Sequence, residues 1–254
     1  MKVRRENDLN CYQVLLQILD IMVINKSNLH VLIPATATLF YLIKLCGPNI
    51  SCILRRNTIR IVLTILEEQS SDLTILRNGT LILHSFPDTD QFLFTCRRLV
   101  RFIIETLGRP FIGDVFVERY FLHFLNVLAC SLKLDVKDIM GNAGIVECLL
   151  NLINRSISLR ATEIIECCFS ILWNVTDEMP NNCEKYLSSN GLDTFAKCYE
   201  AFDNKDLYRN MTGLIGNVAE VATLRDKLRT RSCLRILELV YDLSLLIVIH
   251  LFII

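Results

Sequence analysis

The stretch Trp-Asn-Val-Thr-Asp-Glu at residues 173–178 is echoed by Gly-Asn-Val-Ala-Glu at residues 216–220. Asn174 and Asn217 lie 43 positions apart, and the acid that follows each of them keeps the same interval. A period in the low forties is typical of armadillo and HEAT repeats, in which equivalent helices stack side by side along a concave groove. The echo therefore predicts an all-α fold, an armadillo/HEAT-like α-solenoid superhelix of about five repeats.

Helical periodicity extends along the rest of the chain, where apolar residues recur at i, i+3, i+4 and i+7 in neighbouring segments. The predicted helices are residues 14–24, 29–45, 59–67, 73–85, 92–107, 116–132, 136–140, 145–153, 158–176, 183–188, 192–202 and 207–221. Aligning the last helix of each repeat gives one column at intervals of 43, 42, 48 and 43, namely Tyr41, His84, Asn126, Asn174 and Asn217. Glycine turns at Gly144 and Gly191 are predicted to precede two middle helices. These patterns place an armadillo-like domain at residues 10–228 and an atypical apolar tail at residues 229–254.

Composition excludes several classes of function. Lys+Arg and Asp+Glu are equal at 27 each, so no basic field is available for nucleic acid. The 11 cysteines form no CxxC pair and the 4 histidines lie far apart, which predicts reduced thiols, no metal site and no cofactor in a cytoplasmic or nuclear protein. The apolar run at residues 243–254 is shorter than the about 20 residues of a membrane helix, so no membrane association is expected. A tail anchor is the less favoured alternative.

No catalytic residues are expected in this chain. Neither Gly-x-Gly-x-x-Gly nor Gly-Lys-Ser/Thr occurs, and no Cys-His constellation can be identified that would activate a nucleophile. The sequence therefore predicts a protein that is not an enzyme.

The two echoed stretches predict a binding site. Residues i and i+3 share a helix face, so Asn174 is expected beside Asp177, and Asn217 beside Glu220. Trp173 adjoins the first pair. Two asparagine-plus-carboxylate pairs on adjacent helices suit a peptide that carries a positive charge. The alternative is structural, because asparagines in such arrays also brace neighbouring backbones.

Two longer stretches carry a family resemblance. Residues 171–183 (ILWNVTDEMPNNC) and 207–221 (LYRNMTGLIGNVAEV) resemble the Zyg-eleven / Zer-one family, and the similarity covers most of residues 10–228. Members of that family are substrate receptors of cullin-two RING ubiquitin ligases. The resemblance implies a non-enzymatic subunit whose armadillo-like domain binds proteins with a free N-terminal glycine or another small first residue. It assigns peptide binding to Trp173, Asn174, Asp177, Asn217 and Glu220.

The resemblance also implies partners. Family members carry a box that binds elongin and cullin-two, followed by leucine-rich repeats, and neither pattern is found in this sequence. Contact with those ligase subunits is therefore expected only through a region not seen here. The alternative function is a general armadillo-repeat adaptor that holds an extended internal peptide without recruiting a ligase. Such adaptors repeat a Trp-Asn pair on several helices, whereas Trp173 is the sole tryptophan of this chain.

Overall fold

The computed structural model describes residues 2–46, 50–86, 95–109, 114–130 and 134–229, with the backbone alone for residues 2–11. Over these ranges the regular elements are all helices, which confirms the predicted all-α class. The α-helices are α1 (Lys2–Ile24), α2 (Leu29–Cys46), α3 (Cys52–Glu68), α4 (Leu73–His84), α5 (Cys96–Leu107), α6 (Val115–Ala129), α7 (Leu134–Asn142), α8 (Ile145–Ser158), α9 (Thr162–Thr176), α10 (Pro180–Ser188), α11 (Gly191–Ala201), α12 (Lys205–Glu220) and α13 (Arg225–Leu228). The number of repeats stays a prediction, and the apolar tail lies outside the described residues apart from Arg229.

The chain divides into two compact units. The first comprises residues 1–102 and 111–121, and the second comprises residues 103–110 and 122–254. In the first unit α1 packs on α2, and α4 packs on both α2 and α3. Apolar side chains from these helices are fully buried between them: Leu32, Leu39, Ile59, Leu63 and Ile82. Helix α2 is long and apolar enough to cross a membrane by length and composition, a test that core helices of soluble proteins also pass.

The second unit repeats one pattern of three helices. A short, a middle and a long helix follow one another in α7, α8 and α9, and again in α10, α11 and α12. Helix α9 packs on both α8 and α12, and α8 packs on α11. Phe169, Tyr186, Phe195 and Leu214 fill the space between them. The predicted helices 136–140, 145–153 and 158–176 correspond to the first triplet, and 183–188, 192–202 and 207–221 correspond to the second.

Several predicted helix boundaries are wrong: α1 begins at Lys2 and not near residue 14, and α3 begins at Cys52 and not at Ile59. The boundary between α8 and α9 differs too, because a helix is predicted to begin at Ser158, whereas α8 continues to Ser158 and α9 begins only at Thr162. The break lies at Arg160, whose φ of 51° is left-handed and ends regular helical hydrogen bonding. No glycine or proline marks this position, so the sequence carries no signal for it.

The two glycine turns differ in their physical cause. Gly144 adopts a φ of 87° before α8, as a turn glycine should. Before α11 the left-handed residue is Asn190, and Gly191 is already helical. A Cβ at Gly191 would lie 2.4 Å from the Tyr186 ring, so this glycine is required by close packing and not by its φ.

The link between α9 and α10 positions the predicted site. Helix α9 ends at Thr176, and Pro180 occupies the first turn of α10, where its missing N–H costs nothing. Residues 177–179 therefore leave the end of α9 as a short non-helical connection. Asp177, the first of them, is the C-cap of α9.

Candidate functional site

Helices α9 and α12 lie side by side and carry all five predicted binding residues at or near their C-terminal ends. The half-buried indole of Trp173 lies against Gly213 of α12, where a Cβ would come within 2.4 Å of its Cε2 atom. Asn217, one turn after Gly213, donates from Nδ2 to the carbonyl oxygen of Trp173 at 2.7 Å. The two echoed stretches are thus direct neighbours in the second unit.

The side-chain amide hydrogens of Asn174 and Asn217 form hydrogen bonds within the protein. Asn217 also donates from Nδ2 to Oγ1 of Thr176 at 3.0 Å. Asn174 donates from Nδ2 to the carbonyl oxygen of Ser170 at 2.9 Å and to Oδ1 of Asn126 at 3.2 Å. A side-chain amide has two hydrogens, so the donors of both residues are fully used. In the described part of the chain the Oδ1 atoms of Asn174 and Asn217 accept no hydrogen bond, which leaves each with a free acceptor.

Asn126, the third asparagine of the aligned set, forms its hydrogen bonds through the oxygen of its amide and not through the nitrogen. Its Oδ1 accepts from Oγ of Ser170 at 3.2 Å and from Asn174 at 3.2 Å, which occupies both lone pairs. Among the described residues its Nδ2 has no acceptor. Over the ranges that the structure describes, only Asn217 of the three asparagines bonds the backbone of a neighbouring helix, as the bracing alternative expects, whereas Asn174 bonds the backbone of its own helix and Asn126 bonds side chains alone. Each of them uses only one end of its amide in these bonds.

Asp177 departs from the predicted geometry. It was expected inside the helix beside Asn174, but it is the C-cap of α9 with an extended ψ of 120°. Its Oδ2 pairs with Nζ of Lys137 at 2.7 Å, and the same Nζ also donates to the Asp177 carbonyl oxygen at 3.1 Å. The Lys137 side chain is only 4% exposed, whereas that of Asp177 is 47% exposed. One carboxylate oxygen is therefore held by an internal ion pair, and the exposed remainder can still meet a ligand.

Glu220 is the last residue of α12, in the helical register that was predicted. Its side chain is exposed, and no described lysine or arginine forms an ion pair with it. Of the two predicted acids, Glu220 is the one whose charge is not already balanced.

The negative charges of Asp177 and Glu220 both act on the thiol of Cys183. This buried thiol contacts the carbonyl oxygen of Thr176 at 3.4 Å. Burial, followed by the negative charges of Glu220 and Asp177, raises the pKa of the Cys183 thiol from 9.0 to about 12. Both carboxylates therefore lie within electrostatic reach of one atom beside the end of α9.

The ends of the two helices add to this negative potential. Backbone carbonyls at a helix C-terminus carry a partial negative charge, which favours a nearby cation. Lys137 donates to the Asp177 carbonyl at the end of α9, and Arg225 donates from Nε to the Ala219 carbonyl at 2.8 Å at the end of α12. Each helix end thus already attracts one internal cation.

Two residues that shape the site, Lys137 and Gly213, are not predicted from the sequence. Lys137 had no signal, because a lysine on a short helix is usually solvent-exposed. Gly213 lies 4 positions before Asn217, and only the tertiary packing shows that it faces the indole. Glu178, next to Asp177, is exposed and has a left-handed φ of 57°.

The second unit also has a groove that is separate from the predicted binding residues. This groove of about 860 Å³ lies between α8 and α11, and its lining includes Glu147, Asn151, Asp193 and Glu200. None of the five predicted binding residues lines this groove. Over the described ranges no group of three metal-ligating side chains comes together.

Comparison with known proteins identifies related chains. Residues 20–246 match the family model for the protein zer-1 homolog-like C-terminal domain, a match that runs past residue 228. The protein zer-1 homolog of Drosophila melanogaster is 36% identical over 218 residues, which cover 84% of this chain and 27% of that protein. The human protein zer-1 homolog is 35% identical over 81% of this chain and 27% of its own length. Zyg eleven-related protein 1 of Caenorhabditis elegans is 37% identical over 77% of this chain and 22% of its own length. The chain thus spans about a quarter of these relatives.

Proposed function

This chain belongs to the zer-1 homolog family, and we propose that it is a non-enzymatic substrate-recognition subunit of a cullin-two RING ubiquitin ligase. The ends of α9 and α12 bind the free N-terminus of a substrate whose first residue is glycine or another small residue. The residues that contact this peptide are Trp173, Asn174, Asp177, Asn217 and Glu220. The protein acts in the cytoplasm or nucleus, and it uses no metal or cofactor.

The observation that supports this function most is that several oxygen atoms at the site have no hydrogen-bond or ion-pair partner among the described residues. The two asparagines retain one acceptor oxygen each, Asp177 retains Oδ1, and Glu220 retains its whole carboxylate. A protein N-terminus carries three N–H donors and a positive charge. Charged hydrogen bonds of this kind contribute about 1.5 to 3 kcal/mol each, so an ammonium group is the complementary ligand.

Lys137 alters the charge that such a ligand meets. Because Lys137 pairs with Asp177, Glu220 is the predicted acid whose carboxylate has no ion-pair partner among the described residues, although Arg225 is bound to the neighbouring Ala219 carbonyl. One ammonium group neutralises the Glu220 carboxylate. Asp177 then serves as an oriented acceptor and Glu220 as the counterion, which revises the expectation of two equivalent carboxylates.

The preference for glycine follows from the indole of Trp173. The ring is held against Gly213 on one side and is half-buried, so it cannot move back without disturbing α12. A first residue with a large side chain has to displace this wall, whereas glycine does not.

Calorimetric titration of the full chain tests the function. A peptide that begins with a free glycine is expected to bind, while its N-acetylated twin loses the charge and at least tenfold in affinity, since it leaves Glu220 without a partner. Glu220→Gln removes the charge and keeps the shape, so it should weaken the free peptide about tenfold and leave the acetylated peptide unchanged.

Glu178→Gln provides the matched control, because it neutralises an exposed acid two positions after Thr176 without touching the predicted set. This variant should bind like the unaltered chain. Equal affinity for free and acetylated peptides would contradict the function.

Ligase recruitment requires a separate experiment. Co-purification with elongin and cullin-two subunits is expected only if a region beyond the five binding residues provides the contact. Absence of these subunits in a preparation that binds glycine peptides would favour the alternative, an adaptor without ligase recruitment. Titration with an internal peptide rich in lysine and arginine, with both ends blocked, tests that adaptor directly.

A further inference from the structure

Asn126, Asn174 and Asn217, the three asparagines at equivalent positions of their repeats, differ in the hydrogen-bonding group that they leave free. Asn217 on α12 and Asn174 on α9 have used their hydrogens and offer acceptor oxygens. Asn126, in the part of α6 that belongs to the second unit, has used its acceptor and offers hydrogens. The bonds form a chain in which α9 donates to α6 and α12 donates to α9. The free groups are therefore acceptors on α12 and α9 and donors on α6.

We propose that this change from acceptors to donors fixes the direction of a bound peptide, which runs from the end of α12 across α9 to α6, with Nδ2 of Asn126 donating to a peptide carbonyl. The inference rests on the proposed function. The ammonium group meets the acceptor of Asn217, and a backbone N–H further along the peptide meets the acceptor of Asn174. A backbone carbonyl of the peptide, which is an acceptor, accepts a hydrogen bond from Nδ2 of Asn126, the one donor left free by these three asparagines.

The spacing of the helices indicates which carbonyl is involved. Packed helices lie about 8–10 Å apart, and an extended chain advances about 3.3 Å per residue. One helix spacing therefore corresponds to about three peptide residues. Asn126 contacts Asn174 directly, so its amide lies one spacing beyond α9 and two spacings beyond α12, where the ammonium group is bound. The carbonyl opposite Asn126 is therefore that of about the fifth or sixth residue.

A peptide length series tests the contact. Amidated glycine peptides of two to eight residues are titrated into the full chain, and affinity should rise about two- to tenfold once the peptide reaches Asn126. Asn126→Asp keeps an oxygen for Ser170 and Asn174 and removes both donors. In this variant the rise with length should disappear, while the affinity of the dipeptide stays within about twofold.

Asn151→Asp serves as the matched control, because it adds the same charge at an exposed position of α8 in the same unit. It should retain the full rise with length. If free glycine peptides bind selectively but the rise persists in Asn126→Asp, this inference is wrong and the proposed function stands. If free and acetylated peptides bind alike, both are wrong.

Crosslinking tests the direction independently of any variant. A pentapeptide that begins with glycine carries a benzophenone side chain at its fifth residue. The expected crosslinks fall on the end of α6, for example on Val127, which is 39% exposed. Crosslinks confined to residues 221–229, beyond α12, would show that the peptide runs the other way.

Discussion

Gly213 illustrates how one missing side chain shapes the candidate site. Its Cα allows the indole of Trp173 to lie directly on α12, at a distance that a Cβ would reduce to 2.4 Å. Alanine is the better helix former by about 1 kcal/mol, so propensity alone predicts that Gly213→Ala stabilises α12. The contact with the indole predicts the reverse.

We expect Gly213→Ala to lower the free energy of unfolding by about 1 to 3 kcal/mol, because overpacking costs more than helix propensity returns. Trp173 is the only tryptophan, so its fluorescence maximum should shift to the red as the ring moves into water. Denaturant unfolding followed by this fluorescence measures both effects. In a Trp173→Leu background, followed by circular dichroism, the same substitution should become neutral or stabilising. A persistent loss there would show that the indole is not the cause.

The three aligned asparagines are equivalent in the sequence but differ in the structure in the hydrogen-bonding groups that they leave free. The sequence identified Asn126, Asn174 and Asn217 as equivalent members of one column. The structure divides them, since two retain an acceptor and one retains donors. Periodicity cannot show this difference, because it depends on which neighbouring group lies within about 3 Å of each amide atom.

At the scale of elements, the C-terminal end of α9 is the meeting point of three helices. Helix α7 contributes Lys137, whose Nζ bonds the Asp177 backbone and side chain, and α12 contributes Asn217, whose amide bonds Trp173 and Thr176. The carbonyls at a helix end have no partners within their own helix, so such contacts satisfy them. The end of α9 is therefore held from both sides.

Lys137→Met tests the contribution of α7. Methionine preserves the length and apolar packing of the buried stem and removes the donor. We expect a loss of about 1 to 2 kcal/mol in the free energy of unfolding, less than for a fully buried pair because Asp177 is half exposed. Chemical denaturation measures it.

Lys185→Met is the control for that substitution. Lys185 also donates to a carbonyl near a helix end, that of Gly141 at 2.7 Å, but it has no carboxylate partner in the described structure. Its replacement should cost less than that of Lys137. An equal cost would mean that the carboxylate of Asp177 adds nothing.

At the scale of the whole molecule, buried thiols link stability to pH. Burial raises the pKa of Cys148 and Cys167 to about 11, and that of Cys183 and Cys198 to about 12, from 9.0. In the unfolded chain these thiols ionise near pH 9, while in the folded chain they stay protonated. Their contribution is therefore complete below pH 9 and is lost as the pH rises towards 11 and 12.

We expect the free energy of unfolding to fall steeply above pH 9, by up to about 1.4 kcal/mol per pH unit for each such thiol. Urea denaturation at intervals between pH 8 and about 10.5 measures the slope. Cys198→Ala should make the slope shallower, and the same change at the exposed Cys52 should not. An unchanged slope in Cys198→Ala would contradict this account.

The sequence alone was sufficient for the all-α class and for most helix positions, because apolar periodicity and a repeat interval of 43 are properties of the chain order. The family followed from the resemblance of residues 171–183 and 207–221. The sequence also placed the predicted binding residues on two helices that proved to be neighbours. Only the tertiary structure decided how their atoms are used. Lys137 reaches Asp177 across 40 positions, and Asn217 reaches Trp173 across 44, so these bonds depend on how the helices pack. Spacing can specify which residues face a site, but the polarity that a ligand meets is set by the hydrogen bonds that packing has already formed.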